Sequence, residues 1–303
     1  MSNPSLSKRT LHLLTFIRNK HYPTKAEVLE YLKDQDISVS ERTIERELKS
    51  LRNDFGIEIS HCRKNRGYYI NEEESVDLVS FFKYLELVSI SEIFSEGLMS
   101  DNKLKEYILF ENTPVLNGIE NLAPILIAIK QGCKLSFEHY NYYKDTKKQY
   151  TISPLMIKEY LNRWYVIGVV DDLNTIRIFG IDRLSDLKQG DLQSVNRKDF
   201  EEDLNKFSCI VGVRVNDASL ENIVLKTHKK HMHYLESLPL HPSQHIKEDD
   251  EPGYYKVSYH IIPNYEFDIQ ILKMSMEVEV ISPPSYRNHI KKEIEKIYNK
   301  YQD

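Results

Sequence analysis

Arg42-Thr43-Ile44-Glu45-Arg46-Glu47-Leu48-Lys49-Ser50-Leu51 reads as a helix with two unlike faces. Ile44, Leu48 and Leu51 recur at helical spacing and make one apolar stripe. Arg42, Glu45, Arg46 and Lys49 recur at similar spacing on another side. A helix that anchors one side in a small core and offers cations and hydrogen-bond donors on the other suits a DNA groove. Ser40 is placed to cap its start and Gly56 to end it.

Working outward, Leu6, Thr10, Leu13, Leu14 and Ile17 predict a first amphipathic helix, ended by His21-Tyr22-Pro23. Thr24 with Glu27 three residues on is a capping box for a second helix that turns Val28, Leu29 and Leu32 inward. After Gly56 come two β-prone pieces, Ile57-Glu58-Ile59 and Tyr68-Tyr69-Ile70, with His61-Cys62-Arg63-Lys64-Asn65-Arg66-Gly67 between them. Three helices and a hairpin with a basic tip predict a winged helix-turn-helix over residues 1–71, its tip suited to phosphate or the minor groove.

Residues 72–131 read as a helical connector, carried by Leu78, Phe81, Phe82, Leu85 and Val88 and later by Ile119 to Ile129. Asn112-Thr113-Pro114 and Asn117-Gly118 break it, and Gly132 closes it. From Lys134 the period changes to two. Leu135, Phe137 and His139 alternate, followed by strand-like runs at Tyr150–Ile157, Trp164–Val170 and Ile176–Phe179. Turns at Asp145, Asn162, Asp171-Asp172 and Gly190 separate these runs. This predicts a small SH3-like or Sm-like β-barrel over 132–200. In 201–303 strands are expected at Ile210–Val215, weakly at Pro239–Ile246, at Tyr254–Ile262 and at Met276–Ile281. Helices are expected at Leu220–Lys229, Tyr265–Met274 and Tyr286–Tyr301, giving a ferredoxin-like βαββαβ order with a closing helix. The fold class expected is thus multidomain α+β: winged helix, connector, barrel and ferredoxin-like C-terminal domain.

The net charge of −5 does not by itself point to nucleic acid. Its distribution does: residues 1–70 hold thirteen cations against nine acids, leaving −9 for the rest of the chain. Hydrophobic content of 41% and charged content of 29% are those of an ordinary globular protein. No run of eighteen apolar residues suggests a membrane span, and Met1-Ser2-Asn3-Pro4 does not open a signal peptide. Cys62, Cys133 and Cys209 stand far apart, which fits a reduced cytoplasm and no structural zinc.

Arg163-Trp164-Tyr165-Val166, with Ile152-Ser153-Pro154-Leu155 before it and Ile178-Phe179-Gly180-Ile181-Asp182-Arg183-Leu184 after it, resembles a WYL domain. Val166 stands where the family has Leu, a change that keeps an apolar residue. The N-terminal part resembles the winged helix that accompanies WYL domains in bacterial regulators. The last hundred residues resemble their C-terminal extension, down to the strand Glu277-Val278-Glu279-Val280-Ile281-Ser282-Pro283 and the final helix. The resemblance implies a cytoplasmic, homodimeric, ligand-responsive DNA-binding regulator, often a repressor, in some relatives of defence or DNA-damage genes. Nucleotides or single-stranded nucleic-acid fragments are the ligands it implies for the barrel.

The residues expected to touch double-stranded operator DNA are Ser40, Arg42, Thr43, Arg46 and Lys49 on the helix and Arg63, Lys64 and Arg66 at the hairpin tip. The bland alternatives are a solvated helix face and an ordinary polar turn. In the barrel, Tyr140, Arg163, Tyr165, Arg177 and Arg183 are the ligand candidates, with Arg163 and Arg177 expected to converge on one phosphate beside aromatic faces. The bland alternatives are a surface tyrosine and an Arg183 paired with Asp182 or Asp186; Trp164 is expected to fill the core. His228, His231 and His233 read as a surface cluster beside Lys229-Lys230, and Asp249-Asp250-Glu251 as a solvated turn. No Gly-rich phosphate loop, HExxH or GxSxG motif is present, so no enzyme, cofactor or metal is expected. The competing function is a nucleic-acid-sensing accessory protein that modulates a partner effector.

Overall fold

The computed structural model describes residues 6–100, 117–171, 173–193 and 195–302. Met1-Ser2-Asn3-Pro4, the break at Asn112-Thr113-Pro114 and Asp172 lie outside the described residues. The chain forms two compact units, Met1–Thr113 and Pro114–Asp303.

In the first unit, α1 (Leu6–Lys20), α2 (Lys25–Asp34) and α3 (Glu41–Phe55) precede a hairpin of β1 (Ile59–Cys62) and β2 (Gly67–Ile70), then α4 (Leu78–Ser100). The Thr24–Glu27 capping box forms as the sequence dictates, and Ser40 caps α3. Leu13, Leu14, Ile17, Val28, Leu32, Ile44 and Leu51 close one core. Each such side chain contributes roughly 1.5–3 kcal/mol on burial, enough to fix which face of α3 is hidden. Phe81 and Leu85 of α4 belong to the same core, so the first half of the expected connector packs with the helices before it.

In the second unit, α5 (Leu122–Gln131) packs Ile125 and Ala128 onto an antiparallel sheet of β3 (Cys133–Asn141), β4 (Thr146–Tyr160), β5 (Arg163–Val170), β6 (Thr175–Gly180) and β7 (Leu184–Leu192). The order is β6-β5-β4-β3-β7, so the last strand returns beside the first. A 3₁₀ turn at Ile181–Arg183 joins β6 to β7. Trp164 packs half-buried against this core.

After α6 (Glu201–Lys206) the structure corrects the sequence reading. The helix expected over Leu220–Lys229 is absent up to His228: β8 runs Glu221–His228, burying Ile223, Leu225 and Thr227 at a period of two. Ile210–Val215 forms no strand. The Asn264 side chain donates to the carbonyls of Val211 (2.7 Å) and Arg214 (2.9 Å), supplying what a neighbouring strand would have supplied. Then follow α7 (Lys229–Ser237), β9 (His245–Glu248), β10 (Tyr254–Ile261), α8 (Tyr265–Lys273), β11 (Val278–Ser282) and α9 (Pro284–Asn299). The βαββαβ succession is present, but its first strand and first helix are one place further along. The sheet order is β11-β8-β10-β9. Asp249-Asp250-Glu251 is no free turn, because Lys226 pairs with Glu251 and Lys256 with Asp249 and Asp250.

Candidate nucleic-acid interface

On an α-helix each residue turns about 100°, so Arg42, Arg46 and Lys49 share a sector of roughly 60° opposite Ile44 and Leu51. All three are exposed. Among the described residues, none offers their side chains an ion pair or hydrogen bond. The acids of α3 are engaged elsewhere. Lys25 Nζ sits 2.6 Å from Glu45 and 3.5 Å from Glu41. Its hydrogen bond holds the Glu45 carboxyl below the usual range, and the same bond raises the lysine. Glu47 is buried, where Arg9 and Thr10 both donate to its carboxylate and tie the back of α3 to α1. The cation stripe is therefore not cancelled by its own helix. Ser40 accepts the Thr43 N–H at 3.2 Å, and the two hydroxyls lie 2.9 Å apart, so both serve the cap at the end of the stripe.

The hairpin is seated on the turn between α1 and α2. A Cβ at Gly67 would lie 1.9 Å from the Tyr22 carbonyl oxygen, so only glycine permits the approach. The Tyr68 N–H donates to Pro23 O at 2.8 Å, and the Tyr22 and Tyr69 rings meet at 5.5 Å. Immediately before Gly67 the tip carries Arg63, Lys64 and Arg66, all exposed and without an ion pair among the described residues.

The sheet gathers only part of the expected ligand set. Arg163 Nη1 lies 3.3 Å from Asp182 Oδ2, and Arg183 Nε lies 3.4 Å from Asp182 Oδ1. The Arg183 guanidinium also lies over the Tyr142 ring at 5.0 Å. Gly180 makes the room for it, since a Cβ there would be 2.3 Å from Arg183 Nη2. Tyr165 shares the strand face of Arg163; burial pushes its phenol above the ordinary range, with Arg163 and Arg183 opposing. Tyr140 turns away to donate to Asp145 and meets Tyr142 edge-on. Arg177 is not part of the group. Its register partner is Gly168, five residues along β5 from Arg163 and on the opposite face, so about 16 Å separates them along the strand. The expected convergence of Arg163 and Arg177 is thus excluded by register, and Asp182 is the carboxylate that Arg163 and Arg183 share.

Sequence reasoning did not assign His139, Tyr142, Tyr150 or Phe179 to the site, and offered Asp182 only as one of two partners for Arg183. His139 meets Phe179 edge-on at 5.3 Å and Tyr150 at 6.2 Å, and Phe179 meets Tyr150 at 4.9 Å. Its Nε2 is buried with no hydrogen-bond partner among the described residues. Burial first, then the nearby Arg183, pushes its pKa down. The inward alternation of Leu135, Phe137 and His139 was the signal that could have found it. The three C-terminal histidines part company: His228 accepts from the Lys230 N–H as the cap of α7, His233 lies 3.5 Å from Glu236, and His231, expected at the surface, has its Nε2 buried without a partner among the described residues.

The profile of the WYL domain matches residues 120–189, from the turn before α5 into β7. The chain carries a WYL domain. A second profile, that of the WCX domain, matches residues 219–298, which span β8 to α9. The resemblance read from Arg163-Trp164-Tyr165-Val166 is met by the match that contains it. Among solved structures the chain is similar to proteasome accessory factor B/C (PafBC) of Arthrobacter aurescens, at 15% identity and a TM-score of 0.32, covering 94% of this chain. The chain spans 45% of the length of that protein. It is also similar to a protein described as CRISPR Cas-related, at 15% identity and a TM-score of 0.38, covering 100% of this chain and 89% of that one. The curated proteins include no significant match to the chain. Among the described residues no helix is long and apolar enough to cross a membrane.

Proposed function

We propose that this WYL-domain protein is a DNA-binding transcription regulator, a repressor, whose grip on its operator responds to an anionic ligand. The observation that carries the reading is the stripe of Arg42, Arg46 and Lys49, three exposed cations set opposite a buried face. In this reading residues 1–71 are a winged helix-turn-helix: α3 enters the major groove and the β1–β2 tip reaches phosphate or the minor groove. Two copies bind a palindromic operator in the cytoplasm, operator symmetry matching protein symmetry. The return of β7 onto β3 supports a small barrel as the sensing domain, and the β11-β8-β10-β9 order supports a ferredoxin-like C-terminal domain.

The sensor works by binding alone, with no catalytic step, cofactor or metal. Arg163 and Arg183 offer a phosphodiester two guanidinium groups, and Tyr142, Tyr165 and the His139 cluster offer rings for a base. A nucleotide or a short single strand is the ligand class, exchanging for Asp182 on the arginines. A ligand that binds the DNA-competent and incompetent states unequally shifts operator affinity, with coupling on the order of 1–3 kcal/mol.

The test is a mobility-shift titration of the full chain on duplex DNA from upstream of its own gene, repeated with short single strands and mononucleotides. We expect a saturable, salt-sensitive shift that the ligand weakens, and an Arg183→Ala protein that still binds duplex but ignores the ligand. No shift on any duplex sinks the DNA reading and leaves the accessory-protein alternative. A shift that no anion alters, with no anion binding seen by calorimetry, sinks the sensor.

A further inference from the structure

The polar side chains of α3 sort into two sets. Lys25 engages Glu41 and Glu45; Thr43 serves the cap; Arg9 and Thr10 hold Glu47. Ser50 donates to Asp54, and the guanidinium of Arg52 grips Glu58 through two nitrogens. What remains without a side-chain partner among the described residues is Arg42, Arg46, Lys49 and Asn53. These four are not scattered. Asn53 follows Lys49 by four positions and Arg46 by seven, which puts it in the same sector, within about 20° of the Arg42 direction. It is exposed, and it stands about 16 Å along the axis from Arg42, so the stripe runs the length of the helix.

Resting on the reading of α3 as a groove-entering helix, we propose that Asn53 reads an adenine in the operator. It is the one neutral member of the stripe. A carboxamide presents an acceptor and a donor side by side, the complement of adenine N6–H and N7 in the major groove. The arginines and Lys49 prefer guanine O6 and N7 or phosphate oxygens, so Asn53 adds a base the cations do not select. A neutral side chain also releases no counterions on binding, which separates its contribution from theirs by salt dependence.

The experiment is selection from a randomised duplex pool by the full chain, as wild type, Asn53→Ala and Asn53→Asp, with melting temperature measured for each. The expected wild-type motif contains adenine at one position on which both variants lose preference, by between about fivefold and about a hundredfold. Asn53→Asp loses it because a carboxylate cannot donate to N7. The salt slope of Asn53→Ala stays that of wild type. The proposal is overturned if either variant folds and keeps the adenine. It is equally overturned if Asn53→Ala, with unchanged melting, loses affinity equally on all sequences, the mark of a phosphate contact. A wild type that binds duplex without enriching any motif overturns Asn53 as a reader while leaving DNA binding intact. A wild type that binds no duplex overturns both.

Discussion

Arg42 and Arg46 stand in solvent with no acid of the described chain on them, whereas Arg163 and Arg183 both lean on Asp182. The two pairs are chemically identical and energetically unlike. A guanidinium without an internal partner presents its full field to an incoming phosphate and loses only water. One that already holds a carboxylate must exchange it, so its net gain from a ligand is the difference between two anions. The first arrangement favours a partner of high charge density whatever its detail; the second discriminates among anions by whether they outdo Asp182. That difference fits a DNA-gripping surface and a sensing surface on one chain.

The contrast breaks first at the anchor behind α3. Glu47→Ala leaves Arg9 as an uncompensated cation in a site where its side chain is 13% exposed. We expect about 3 kcal/mol of stability to be lost from the first unit, read as a lower denaturant midpoint. An unchanged midpoint would mean that the stripe is not held by its rear face. Next, Arg42→Ala with Arg46→Ala should cost about 1–3 kcal/mol of operator affinity per arginine that reads a base, measured by fluorescence anisotropy. Equal affinity in the double variant removes these residues from the interface. Neutralising Lys64 and Arg66 together should flatten the dependence of log affinity on log salt by about two. If affinity falls at constant slope, the tip contacts bases or shapes the fold.

On the other side of the comparison, Asp182→Asn should change stability by only about 1 kcal/mol, because the pairs it weakens are long, at 3.3 and 3.4 Å, and still reach solvent. It should also raise calorimetric affinity for mononucleotides by freeing both arginines. A weaker affinity would show that Asp182 positions the arginines and does not compete for them. The smallest effect concerns pH. Burial lowers the pKa of His139 below its ordinary value, so in the window beneath about 6.5 the unfolded chain binds the proton more readily than the folded one. Stability of the second unit should therefore fall as pH drops through that window. His139→Phe should flatten the fall in thermal melts between pH 7.5 and 5.5; an identical profile would assign the acid sensitivity to another histidine, such as the buried His241, whose pKa burial also lowers.

How legible all this was in the sequence depended on how local each cause was. Caps and helical spacing are local, so α1, α2 and α3 were read near their true ends from Thr24, Glu27 and Ser40. The edges of β8 were not. Leu220–Lys229 carries Leu and Lys that suit a helix, and only pairing with β10 on one side and β11 on the other selects the extended form. Ile210–Val215 has the composition of a strand, but its hydrogen bonds go to a side chain fifty residues away. The candidate site divides the same way. The α3 stripe follows from one helix and was read whole except for Asn53. The sheet cluster depends on register: Arg177 lies on the wrong face by a pairing that no spacing reveals. Asp182, adjacent to Arg183 in sequence, was in view only as one of two possible partners.

Gly67 has one further consequence. Because the tip end of the hairpin, where Gly67 pairs with Cys62, lies directly on the backbone of Tyr22, main-chain packing sets where the β1–β2 tip stands against the helices. In the proposed DNA-bound state, the spacing between the contacts of α3 and those of Lys64 and Arg66 is then set by main-chain packing and not by side-chain rotamers. An operator with a base pair inserted between those two points is expected to meet the protein out of step and to bind less tightly unless it bends.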